Sequence, residues 1–224
     1  MTPLRAALFD FDGTLCDSIA TIIRLVQLAC EEIGVPVPTT STIRGNIGRG
    51  FENLAEDYTG GDDQLAAQLF QTYRQINSRE IAAGQRQPEP LYDGAREALA
   101  SLQAEGWLTG IVTNKGRAGL DYLLEAHNLK PLLDVSLTVD EVTPKPAPDM
   151  ALEAMRRLGS EKLDTLLIGD TEIDAGCAAN AGIGFVGVGW GCHGSAVLET
   201  AGARAILPDF DQLPLRLEQA LGAR

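Results

Sequence analysis

From Tyr92 onward the chain alternates helical patterns with short apolar runs, and that alternation narrows the fold more than any other feature. Asp93-Gly94 opens a helical pattern through Leu102, and Trp107 to Thr113 reads as a strand. A helix from Gly116 to His127 follows, then a weaker strand over Val135 to Val139. The Pro144-Lys145-Pro146-Ala147-Pro148 stretch precedes a helix from Asp149 to Leu158. Leu166 to Ile168 is a strand ending at Gly169-Asp170, followed by a helix to Ala181, a strand from Phe185 to Val188 and a last helix near Leu213 to Leu221. Strands joined by helical crossovers run parallel and are covered on both faces, which predicts an α/β fold around a parallel sheet.

The first strand stands apart from this series. Ala6 to Phe9 is an apolar run that Gly13 and Thr14 break. Between it and Pro88 no strand pattern occurs. Helical spacing runs instead from Ile19 to Ile33, with Asp17 or Ser18 as cap and Gly34 and Pro36 as stop. Three further helical patterns cover Thr39 to Ile47, Phe51 to Tyr58 and Asp62 to Ala83. A helical module at 16–89 is therefore inserted into a core made of 1–15 and 90–224.

Bulk composition narrows the partners. A net charge of −13 argues against nucleic acid and anionic membrane surfaces. An anionic substrate must then be held by local positive charge. No run is long enough to span a membrane, and no signal-peptide pattern opens the chain, so a cytoplasmic protein is expected. The 4 cysteines (Cys16, Cys30, Cys177, Cys192) form no CxxC pair and read as reduced and structural. With 2 histidines, His127 and His193, a histidine-rich metal site is excluded.

Ligands of open α/β sheets gather at the carboxyl ends of the strands. Those ends carry Asp10 and Asp12, then Thr113-Asn114-Lys115, then Lys145 in its proline loop, then Asp170 and Asp174. Asp10 and Asp12 are two residues apart and emerge on the same side of the strand. Close carboxylates repel and are costly to desolvate; oxygen donors of this kind suit Mg²⁺. Asp174 follows Asp170 by four residues, which places both on one helical face.

These residues resemble the motifs of the haloacid dehalogenase-like hydrolase superfamily, in its phosphoglycolate-phosphatase-like branch. The first motif is Asp10-Phe11-Asp12-Gly13-Thr14-Leu15-Cys16-Asp17-Ser18, the second Thr113-Asn114, the third Lys145-Pro146-Ala147-Pro148, and the fourth Gly169 to Asp174. The resemblance implies a Rossmann-like, doubly wound core with a helical cap after the first strand. It implies a phosphatase in which Asp10 is the nucleophile and Asp12 transfers the proton. It also implies Mg²⁺ held by Asp10, Asp170 and the Asp12 backbone carbonyl, with Asp174 reaching the metal through water or orienting Lys145. Lys145 balances charge, while Thr113 and Asn114 bind phosphoryl oxygens.

Dehalogenases of the superfamily lack an acid at the position of Asp12, and phosphonate-cleaving members place a lysine in the cap. Residues 16–89 contain no lysine. Mutases resembling β-phosphoglucomutase carry a cap lysine and Gly-Val where Gly13-Thr14 stands. A sugar-phosphate mutase and a receiver-type phospho-accepting signalling domain are the alternatives to a phosphatase, and monomer and homodimer both remain open. Arg44 and Arg49 form the compact basic stretch of the cap and suit a small anionic phosphorylated metabolite such as 2-phosphoglycolate, with Lys115 a further substrate contact. Those arginines could instead pair with Glu52 or Glu56. Gly176 and Cys177 depart from the alanines that the resemblance implies in their helix, and close packing at Gly176 would explain a mid-helix glycine.

Overall fold

A computed structural model describes residues 4–49 and 57–222. Strands β1 (Ala6–Phe9), β2 (Leu108–Thr113), β3 (Val135–Thr138), β4 (Thr165–Gly169), β5 (Gly184–Val188) and β6 (Ile206–Leu207) form one sheet in the order β3-β2-β1-β4-β5-β6. Every neighbouring pair is parallel. β1 lies between β2 and β4, with Ala6 opposite both Leu108 and Thr165. The chain winds from β1 out to β3, then returns beyond β1 to β4. The order thus reverses between β1 and β4, where an open sheet leaves a crevice for ligands.

Alternation along the strands builds a core on each face. Ala7, Phe9, Ile111, Leu166 and Ile168 pack on one side. There they meet helices α4 (Ala95–Ala104), α5 (Arg117–Ala126) and α9 (Leu213–Gly222). Leu8, Val112, Leu137 and Leu167 face the other side. Helices α6 (Asp149–Leu158), α7 (Glu172–Ala181) and α8 (Ser195–Thr200) cover it. Gly176 packs as its sequence position demands, since a Cβ there would lie 3.1 Å from Cβ of Pro146.

The segment after β1 is helical throughout its described part. Helices α1 (Ile19–Ile33), α2 (Thr40–Asn46) and α3 (Asp63–Ala82) bury a separate apolar cluster of Ile23, Val26, Ile43, Leu69 and Ile76. Gly34 ends α1 in the left-handed conformation, at φ 75°. The expected helix over Phe51 to Tyr58 lies mostly outside the described residues, of which 57–59 are helical. Ser18 occupies the N-cap position of α1 but makes no capping bond, because its hydroxyl is used elsewhere. No helix among the described residues is long and apolar enough to cross a membrane.

Candidate active site

Asp10 sits one residue past β1, still tied to the sheet by its N–H donating to the Ile168 carbonyl at 2.9 Å. Asp170 follows β4 directly, so the two acids flank the crevice where the strand order reverses. Asp174 arrives from α7. Thr171 caps that helix and accepts from the Asp174 N–H, while the Asp174 carboxylate accepts from the Thr171 N–H at 3.1 Å and its hydroxyl at 2.6 Å. Asp170 therefore precedes the helix, and the expectation that it shares a helical face with Asp174 is corrected. The capping turn, not helical periodicity, brings the two together.

Oxygen atoms of Asp10, Asp170 and Asp174 all lie within 4.8 Å of one another, and all three side chains are buried. One cation lies among them. Lys145 Nζ is 2.9 Å from Asp10 Oδ1 and 2.6 Å from Asp174 Oδ1, with its side chain 1% exposed. Thr14 Oγ1 donates to Asp170 Oδ1 at 3.0 Å and the Cys192 N–H to Oδ2 at 2.8 Å. Asp10 Oδ1, by contrast, receives no well-directed hydrogen bond; Lys145 meets it as an ion-pair contact only.

Charge follows from this crowding. Burial pushes the Asp10 carboxyl up to about 6, a rise that Lys145 restrains and Asp174 promotes. Burial, then Asp174 and Asp10, push Asp170 up to about 7. Burial works to lower Lys145, but Asp10 and Asp174 outweigh it and hold the ammonium above its ordinary value. Three buried carboxylates against one ammonium, with one oxygen lacking a donor, form a donor set that fits a hard divalent cation.

Asp12 points elsewhere. Its Oδ1 accepts from Ser18 Oγ at 2.5 Å and from Lys115 Nζ at 2.8 Å, and Lys115 reaches Oδ2 at 3.1 Å. Its carboxylate is not part of the three-acid group. Burial works to lower the Lys115 value, but Asp12 outweighs it and raises the ammonium. The Thr113 hydroxyl accepts from the Lys115 N–H at 3.3 Å. Asn114 is a brace: its Nδ2 donates to the carbonyls of Gly48 and Lys145, each at 3.0 Å, and its Oδ1 accepts from the Lys145 N–H at 2.8 Å.

The cap arginines are already engaged. Arg44 donates to the Gly191 carbonyl at 3.0 Å. Arg49 bonds Asn46 Oδ1 at 3.0 Å and lies 3.7 Å from Asp57. Glu52 and Glu56, the partners expected from spacing, lie outside the described residues. His193 contributes locally, accepting from the Glu172 N–H at Nδ1 at 3.1 Å. Sequence reasoning missed Thr14, Ser18 and the Cys192 N–H as partners of the acids. Thr14 and Ser18 stood in the quoted motif without a role, and the glycine-rich 190–194 turn was the signal for the third.

Residues 7–188 match the family described as haloacid dehalogenase-like hydrolase. The chain belongs to that family. The Dickeya dadantii protein named Probable phosphatase IndB is 31% identical over 95% of this chain and 92% of its own length. A plasmid phosphoglycolate phosphatase of Cupriavidus necator is 30% identical, covering 97% of this chain and 95% of the relative. Among solved structures, a hydrolase from Pseudomonas syringae superposes with a TM-score of 0.82 at 26% identity, over 96% of this chain and 98% of that one. This haloacid dehalogenase-like chain thus has the parallel α/β core that the strand alternation predicts.

Proposed function

We propose that this hydrolase cleaves a small phosphomonoester, with Asp10 as nucleophile and Asp12 as proton carrier. The observation that carries the reading is the divergence of two acids from one strand end: Asp10 into the buried carboxylate group, Asp12 onto Lys115 and Ser18 at the edge of a cavity. A carboxylate oxygen of Asp10 attacks phosphorus, and the ester P–O bond to the alcohol breaks. Asp12 gives its proton to the departing alkoxide, then takes one from the water that releases phosphate from Asp10. Lys145 balances charge beside Asp10 during both displacements. Asp10, Asp170 and Asp174 would hold the cation, Mg²⁺ by the chemistry of their oxygens, which supplies neutralisation of phosphoryl charge.

The helical segment 16–89 serves as a cap over a core of 1–15 and 90–224, and the thiol-only cysteines suit a cytoplasmic enzyme. The names of several relatives make 2-phosphoglycolate the first metabolite to assay. Phosphate release from a panel of phosphomonoesters, with Mg²⁺ and with chelator, tests the reading. Turnover that stops on chelation and in Asp10→Asn is expected. A long-lived phosphoprotein without turnover would establish the signalling alternative, and isomerised sugar phosphate the mutase.

A further inference from the structure

A cavity of about 270 Å³ has Asp10 and Asp12 in one wall. At roughly 30 Å³ of liquid volume per water it has room for about nine waters. A phosphoryl group with a short hydroxyacetate tail leaves much of that space unfilled. The opposite wall is built from regular helix faces. Ile22 and Val26 stand one turn apart on α1, and Phe70, Tyr73, Arg74 and Asn77 follow the i, i+3, i+4, i+7 pattern of one face of α3. Ile43, Ile47 and Tyr58 extend the apolar surface. Gly116 and Gly119 of the α5 entrance keep the remaining side low.

The cations of this wall already have partners. Lys115 pairs with Asp12, Arg49 with Asp57, and Arg74 grips Asp140 through both terminal nitrogens at 2.7 and 3.1 Å. A substrate carrying a second charge, as 2-phosphoglycolate does, would have to break one of these pairs. One polar atom is in the opposite condition: Asn77 Oδ1 is buried and accepts no hydrogen bond. A buried acceptor without a donor is costly, and a ligand O–H or N–H would satisfy it.

We propose that the alcohol released by this site is neutral and ring-sized, with an apolar body and one donor group that bonds to Asn77. The proposal rests on the Asp10 chemistry above and names the substrate class of that same site. A ring fills the isoleucine and aromatic walls, and the donor end reaches the amide of α3.

The test compares kcat/KM for 2-phosphoglycolate, benzyl phosphate and 4-(hydroxymethyl)benzyl phosphate in Mg²⁺ buffer, with acetyl phosphate as a small substrate that needs no cavity. Benzyl phosphate should exceed 2-phosphoglycolate by on the order of tenfold or more, the scale of burying a ring. The hydroxymethyl group should add roughly another tenfold, and Asn77→Leu should cancel that second gain. Ile22→Arg places an unpaired cation in the wall and should move preference toward 2-phosphoglycolate. If acetyl phosphate is turned over and 2-phosphoglycolate equals or beats both benzyl esters, the inference falls and the Asp10 chemistry stands. If Asn77→Leu keeps the full hydroxymethyl preference, the assignment of the donor partner is overturned. If acetyl phosphate is not turned over in an Asp10-dependent way, the underlying chemistry fails, and the inference with it.

Discussion

With three carboxylates converging on one ammonium, Lys145 holds a charge balance that no other described side chain can take over. Truncating one partner of a buried charge group leaves the others uncompensated, which costs about 3–5 kcal/mol. Lys145→Met should therefore lower the melting temperature of the metal-free protein by on the order of 10 °C. It should also reduce phosphomonoester turnover roughly 100-fold or more. Calorimetry and a phosphate-release assay check the two halves; an unchanged melting temperature would show that Lys145 does not balance the acids. Asp10, Asp12, Lys145 and Asp170 are legible in the sequence because each follows an apolar strand or lies in a proline-fixed loop. Ser18 and Thr14 are not, because a hydroxyl that serves a distant carboxylate leaves no periodic signature. Ser18 shows the difference well, since its position predicts a helix cap and its hydroxyl goes to Asp12.

At the scale of elements, the turn between β1 and α1 depends on a glycine that does two jobs. Gly13 has φ 82°, which side chains rarely adopt, and a Cβ there would collide with the Asp170 carboxylate. Gly34 at the end of α1 has φ 75° but open space around it. Gly34→Ala should thus cost only the backbone term, about 1–2 kcal/mol, and leave turnover intact. Gly13→Ala meets the same term and also displaces Asp170, so turnover should fall by at least an order of magnitude. Denaturant melts and kcat measured on both variants separate backbone strain from site geometry. Equal activity in the two would show that Asp170 tolerates displacement. Long elements are legible for the same reason that they are stable: α6 falls at Asp149–Leu158 as its apolar spacing predicts. α8, with 6 residues, and β6, with 2, are too short to show a period, and their positions come from packing against β5.

At the scale of the whole molecule, the acid group joins the two central strands, so its ionisation enters the stability of the entire core. Asp10 and Asp170 titrate near 6 and 7 in the folded chain, against an ordinary value of 3.8. Between the ordinary and the folded values the folded state binds more protons than the unfolded state. Unfolding free energy therefore falls as pH rises through that window, the reverse of a carboxylate held low by a salt bridge. The net charge of −13 adds self-repulsion in the same direction. Metal-free protein should melt at a higher temperature at pH 5 than at pH 7.5, and Asp170→Asn should flatten this slope while changing the net charge by only one. A divalent cation binds the ionised acids of the folded state, so Mg²⁺ should raise the melting temperature at pH 7.5 and lose that effect toward pH 5, as protons compete for the same oxygens. Thermal melts of both proteins across this range, with and without Mg²⁺, decide the matter. A wild-type slope that Asp170→Asn leaves unaltered would place the pH dependence in surface charge and remove the acid group from the balance of the core.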